Sequence, residues 1–296
     1  MKNINIFIGK GGVGKSTCSA LSATKEYENN NSVLLDSLDP AHNLHDLFNQ
    51  SFSNKPKKVS DKFYVRESDI SKLGKEYIKS TQNQLKGMYH YQQSLNIDKY
   101  FSILKYAPGT EEYAALMALE RCFNEKKYDK IFIDTPPTAL TLKTLALPSV
   151  NLHWINSLIE MRLEIVNKKN TIKNIRKENQ ENIDEDPIYQ RLLMMKKRYA
   201  DLNDKLQDKD FVNFILILNE DEMSYSESLL IKKQMDDLGF SINKIIINKS
   251  TESYEGNYKK LKEDFPDSII QLNPLICDNL SSIDCLKMNC NNLISL

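Results

Sequence analysis

A short run near the amino terminus, Gly9-Lys10-Gly11-Gly12-Val13-Gly14-Lys15-Ser16-Thr17, constrains the fold of this chain more than any other feature. It satisfies the pattern G-x-x-x-x-G-K-[ST]. Glycines at those places let backbone N–H groups face phosphate oxygens with no side chain between them. The flanks suit the pattern. Residues 3–8, Asn-Ile-Asn-Ile-Phe-Ile, read as an apolar strand, and residues 16–27 read as a helix carrying Ala20, Leu21, Ala23 and Thr24. Strand, loop and helix together aim the positive end of a helix at the anion. Gly11, Gly12, Val13, Gly14, Lys15, Ser16 and Thr17 are therefore expected to hold a nucleotide. In that arrangement Lys15 neutralises the β- and γ-phosphates, the Ser16 hydroxyl binds Mg2+ and Thr17 reaches the α-phosphate. The alternative is a glycine-rich turn with no ligand.

Strand candidates at residues 3–9, 32–38, 63–68, 101–106, 129–134, 211–219, 243–248 and 268–272 alternate with helical patterns. That alternation predicts an α/β fold, a mostly parallel twisted sheet with helices on both faces. Ligands of such sheets bind at the carboxyl ends of the strands. Residues 1–296 read as one domain, interrupted at 152–208 by a strand-free stretch of helices flanking a polar connection. The stretch is expected to be an inserted helical subdomain for a client or partner; the alternative is a solvated helical face or a flexible loop. Lys plus Arg and Asp plus Glu each number 40, so the net charge is zero and no broad basic field for nucleic acid is expected. The longest apolar runs, such as Phe214-Ile215-Leu216-Ile217-Leu218, have strand length rather than membrane-span length. The chain enters its first strand directly, which leaves no room for a signal peptide. Cys18, Cys122, Cys277, Cys285 and Cys290 then read as reduced thiols of a cytoplasmic protein.

Two further motifs fall at strand ends. Asp39 precedes Pro40, where the chain must turn. Its carboxylate is expected to orient a water for attack on the γ-phosphorus; alternatively Asp39 and Asn43 cap the next helix. Asp134 follows Ile131-Phe132-Ile133 and is expected to be a direct or outer-sphere partner of Mg2+. Thr135-Pro136-Pro137-Thr138 is a stiff turn suited to a switch that senses the γ-phosphate.

On these residues the chain resembles the ArsA/Get ATPases, which energise arsenite pumps or target tail-anchored membrane proteins. They belong to the deviant Walker A class of P-loop NTPases, with MinD, ParA and the nitrogenase iron protein. The class-wide match is Lys10 to Thr17; the more specific ones are Asp39-Pro40-Ala41-His42-Asn43-Leu44, the Asp134 motif continuing to Thr141-Leu142 and Leu147-Pro148, and Pro108-Gly109-Thr110-Glu111-Glu112. Residues 245–248, ending on Asn248, resemble the strand whose asparagine reads adenine, and Asn273-Pro274-Leu275 resembles the start of the adenine loop. A strand end and an ordinary loop are the plainer readings of Asn248 and Pro274. The resemblance implies an ATP-hydrolysing homodimer in which Lys10 reaches the partner's nucleotide, Asp39 positions the water and hydrolysis reopens the dimer. The plainer reading of Lys10 is a solvated lysine at the loop edge. Such an enzyme handles a membrane-protein client or energises a membrane transporter, meeting the membrane through that partner.

Departures from the family bear on the cargo. Ala139-Leu140-Thr141 stands where Gly-His-Thr is usual, which puts the histidine's part in switch coupling in doubt. No CxxC pair occurs, so no structural zinc is expected. Cysteines of the arsenite type are absent near Pro108 and after Trp154, and Cys18 reads as a small buried hydrophobe. Met161, Leu163, Ile165, Val166 and residues 192–195 either line a client groove or pack on the core. Two other functions stay open. One is a MinD/ParA-like positioning ATPase, for which the short C-terminal segment is only weakly amphipathic. The other is a nucleotide-regulated interaction protein with little turnover.

Overall fold

The computed structural model describes residues 3–40, 44–88, 109–250, 258–274, 282–292 and 294–295. The chain divides into two compact units, Met1–Thr144 with Asp208–Leu296, and Leu145–Gln207.

The first unit is built on one sheet of nine strands. In chain order these are β1 (Asn3–Ile8), β2 (Val33–Ser37), β3 (Lys57–Ser60), β4 (Phe63–Glu67), β5 (Lys130–Asp134), β6 (Val212–Asn219), β7 (Ile242–Ser250), β8 (Ile269–Pro274) and β9 (Ile294–Ser295). Their spatial order is β3-β4-β2-β5-β1-β6-β7-β8-β9. All pairings are parallel except the two at the edges, β3 with β4 and β8 with β9. This is the mostly parallel α/β sheet expected from the alternating pattern. The central strands are apolar on both faces, as a covered parallel sheet requires. Ile4, Ile6 and Ile8 of β1 are buried on one side and Phe7 on the other.

Helix α1 (Lys15–Glu28), with α2 (Leu44–Phe48) and α9 (Ile283–Asn289), covers the face bearing Phe7, Phe132, Ile215, Ile217 and Ile246. Helix α4 (Thr110–Asn124) lies on the opposite face, where Cys122 meets Asp36 of β2. Other elements of this unit are α3 (Ile70–Met88), α7 (Glu222–Asp237) and α8 (Tyr258–Asp264); α5 (Thr138–Arg176) begins here and runs into the second unit. The edge strands β3 and β9 were not expected. Lys57 and Lys58 make β3 short and charged, a pattern that protects an edge and hides it from a search for apolar runs. The strand expected at 101–106 lies outside the described residues.

In the second unit, the rest of α5 and α6 (Pro187–Gln207) are joined by a polar segment with a 3₁₀ turn at Ile183–Glu185. The segment is tied down rather than loose. Arg162 donates through Nε and a terminal nitrogen to both oxygens of Asp186, and Asp186 accepts from the Tyr189 amide at 2.8 Å, closing the first turn of α6. The Arg162 hydrogen bonds hold the Asp186 carboxyl below its ordinary pKa. Asn170 exchanges hydrogen bonds of 2.9 and 2.7 Å with the Glu181 backbone. Val150, Trp154, Leu158, Met161, Ile165, Ile172 and Ile175 are exposed on α5. Their steps of three, four and seven residues place them along one helical stripe.

Candidate nucleotide site

The loop leaves the central strand β1 at its carboxyl end and enters α1 at Lys15. Gly14 is the N-cap residue, with φ of 91°, no side-chain cap and no acidic residue in the first turn of the helix. The first amides of α1 are thus left without side-chain acceptors, and the positive end of its dipole is uncompensated. A Cβ on Gly14 would strike the Asn248 side chain as well as strain the backbone. On Gly11 and Gly12 an added Cβ meets nothing within 4 Å, so the outer side of the loop is open. Gly9 passes so near the Ile217 carbonyl on β6 that no side chain fits there.

Three predicted residues converge on this helix start. Lys15 is buried, and its Nζ donates to the Gly9 carbonyl at 3.0 Å and the Lys10 carbonyl at 3.2 Å. Burial lowers its pKa, against the opposing pull of Asp134, Asp39 and Glu227. Ser16 Oγ donates to Asp134 Oδ2 at 2.7 Å. Ser37, which the sequence reading gave no role, donates to the same oxygen at 3.0 Å. Strand register explains the meeting, because Asp134 pairs with Phe7 on one side and Ser37 on the other. Asp134 Oδ1 is fully buried and has no hydrogen-bond partner among the described residues. Burial pushes the Asp134 pKa up to about 6, against the lowering effect of the two serine hydrogen bonds and Lys15. A buried carboxylate oxygen without a partner beside a serine hydroxyl is a hard oxygen donor set, which fits Mg2+ completed by phosphate and water.

Thr17 is half-buried in the first turn of α1, and Val13 is buried in the loop. Asp39 is half-buried beyond the end of β2, and its backbone N–H donates to Ser37 Oγ at 3.3 Å. It acts electrostatically on both Lys15 and Asp134, and so lies near both. Residues 41–43 of its motif lie outside the described residues, as does Pro108. Gly109 is the N-cap residue of α4 with φ of 88°. Lys10 forms an ion pair with Glu227 of α7 at 3.2 Å. Thr141 is buried and donates to the Pro136 carbonyl at 2.9 Å, closing the proline turn on itself.

Asn248 stands beneath the loop. Its Nδ2 donates to the Val13 carbonyl at 2.7 Å, and its Oδ1 accepts from Asn273 Nδ2 at 2.6 Å. Pro274 ends β8 opposite Ser250, and the residues just after it lie outside the described residues. Cys18 is buried in the α1 core.

Behind β2 is a second set of groups that the sequence reading missed. Asp36 Oδ2 accepts from Arg66 at 2.7 Å and from Cys122 Sγ at 3.1 Å, while Oδ1 accepts from Ser68 at 2.7 Å. Arg66 and Asp36 are both buried. Burial works against the Arg66 charge, yet Asp36 and Cys122 hold its pKa above the ordinary value. An arginine inside the apolar strand Phe63–Glu67 was the available signal.

A glycine loop joining the central strand of a parallel sheet to an uncapped helix places the chain among the P-loop NTPases. The profile of the anion-transporting ATPase family matches residues 1–264, and the chain belongs to that family. It is 29% identical to a putative arsenical pump-driving ATPase 2 of Aquifex aeolicus, over 82% of this chain and 78% of that protein. It is 26% identical to ATPase ASNA1 homolog 2 of Paramecium tetraurelia, over 98% of this chain and 93% of the other. With the ATPase ASNA1 homolog of Plasmodium falciparum the identity is 28%, over 82% of this chain but 62% of the longer relative.

Proposed function

We propose that this chain hydrolyses ATP with Mg2+ as a homodimer, and that the closing and opening of the dimer drive a membrane-protein client or a membrane transporter. One observation carries the reading. Lys15, Ser16 and Asp134 meet at the uncapped start of α1, and Asp134 keeps a buried oxygen with no partner among the described residues. Ser16 and Asp134 hold the cation, which when bound screens the charge of the β- and γ-phosphates. The loop amides of residues 11–17 cradle the phosphates, and Lys15 turns from its carbonyl acceptors toward them. Asp39 orients the attacking water and accepts hydrogen bonding from it. Lys10 leaves Glu227 and reaches the partner's nucleotide. Asn248 supports the loop from below while Pro274 begins the adenine-binding segment. The exposed stripe of α5 supports a client or partner role for residues 152–208. The protein works in the cytoplasm and reaches a membrane through that partner; among the described residues no helix is long and apolar enough to cross one.

Two measurements test this reading. Mg-dependent phosphate release by Asp39→Asn should fall at least about a hundredfold below wild type. Equal rates would remove Asp39 from water positioning. Asp39→Asn with ATP should sediment as a dimer, and the Lys10→Ala, Asp39→Asn double variant should remain a monomer. A dimer in the double variant would rule out the bridging lysine.

A further inference from the structure

Asn248 and Asn273 stand side by side near the carboxyl ends of β7 and β8, paired in register. They are 4% and 1% exposed, so their amides must find partners within the protein. A primary amide has one donating end and one accepting end, and its neighbours decide which way round it sits. The Val13 carbonyl can only accept, and it takes its hydrogen bond from Asn248 Nδ2 at 2.7 Å. Turned over, Asn248 would set its own oxygen against that carbonyl oxygen. Asn273 opposes the turn, because its Nδ2 donates to Asn248 Oδ1 at 2.6 Å. Asn273 is itself kept the same way round by Cys18 of α1, whose sulfur accepts weakly from that nitrogen at 3.8 Å. The arrangement has a cost. Asn273 Oδ1 is buried with no partner among the described residues. The pair keeps its donors aimed toward the loop and leaves an acceptor unmatched.

The Val13 carbonyl and the Gly14 N–H belong to one peptide unit. No cis peptide occurs among the described residues, so that N–H points opposite to the carbonyl and away from Asn248. Fixing the carbonyl therefore fixes the amide. The fit is close, since a Cβ on Gly14 would strike Asn248 Nδ2.

We propose that Asn273 is a positioning residue for phosphate binding: acting through Asn248, it holds the Val13–Gly14 peptide so that the Gly14 N–H is presented to the nucleotide phosphates. The inference rests on the proposed nucleotide site and adds to it a residue that acts without touching the ligand.

Calorimetric titration of the full chain with Mg·ADP and, separately, with Mg·pyrophosphate tests it. Asn273→Leu keeps the size of the side chain and removes the donor. It should weaken both ligands by the same factor, about tenfold, because the Gly14 amide serves the phosphates that the two share. Should that variant fail to fold, Asn273→Ala removes the donor with a smaller side chain and should act in the same direction. A double-mutant cycle isolates the relay from general damage to β8. In an Asn248→Ala background the same Asn273 substitution should cause no further loss of pyrophosphate affinity, whereas damage to the strand would add to the effect of Asn248→Ala. Loss of ADP affinity with pyrophosphate affinity intact would make Asn273 a reader of the base and overturn the proposal. Additive losses in the cycle, or wild-type affinities in the single variant, would overturn it as well. If the wild-type chain bound neither ligand, the nucleotide site itself would fall; if it bound both and the variant matched it, only the relay would.

Discussion

Asp134 is under two opposed demands. The fold buries it wholly, while two serines and Lys15 favour its ionised form. Burial wins, and its pKa rises from 3.8 to about 6. The folded chain therefore binds this proton more tightly than the unfolded chain does. Its contribution to stability is full below the unfolded pKa and is lost as pH rises through about 6, a loss of about 3 kcal/mol by neutral pH. Asp134→Asn should accordingly be more stable than wild type to urea at about pH 7 without nucleotide, with the gap closing near about pH 4. Under the proposed function Mg·ATP should reverse the order, because the variant lacks the carboxylate assigned to the cation. A pH-independent gap would deny the titration. Much of this site could be read from sequence, since loop, Asp39 and Asp134 are local motifs at strand ends. Ser37 and Glu227 could not, because what gives them a role is a neighbour distant in the chain: Asp134 for Ser37, and Lys10 for Glu227. Asn248 was visible as a strand end, but its hydrogen bond to Val13 depends on how β7 lies beneath the loop.

Strand β2 ends at the nucleotide site, and its position is fixed from behind by β4 and α4. Asp36, buried between Arg66 and Cys122, precedes Ser37 directly. Arg66→Met would leave the Asp36 carboxylate buried without its cation and should cost about 3–5 kcal/mol of stability. Replacing both, as Asp36→Leu with Arg66→Met, should recover most of that loss, because a well-packed apolar pair often matches a buried ion pair. Urea unfolding of the single and double variants measures the difference. A double variant no better than the single would show that the hydrogen bonds to Ser68 and Cys122 matter more than the charge pair. The apolar elements of the sheet were legible from Ile, Val and Phe runs. This polar bracing was not, since it joins three segments, and a lone Arg in a strand does not say what it will meet.

At the scale of the whole molecule, the chain carries two compact units, an α/β sheet unit and a helical unit whose polar connection is tied down. Trp154 is 65% exposed on the α5 stripe and is the chain's one tryptophan. Its emission should shift to the blue when a helical peptide of about 20 apolar residues is added. Leu158→Asp with Met161→Asp should abolish the shift and change stability little, since both side chains are exposed. An unchanged response in that variant would move the client off α5. The strand-free stretch at 152–208 was legible in the sequence, but not that its polar connection would be held by Arg162 and Asp186.

The sheet order also governs when the ATP site can exist during synthesis. Strand β1 is made first, yet it lies between β5 and β6, and its loop rests on Asn248, 235 positions beyond Val13. The emerging amino-terminal portion carries every glycine of the phosphate loop but none of the framework that shapes it. The loop gains its support from Asn248 only after a further 235 residues have been made, so a nucleotide meeting the early chain would find the glycines without the strand that steadies them.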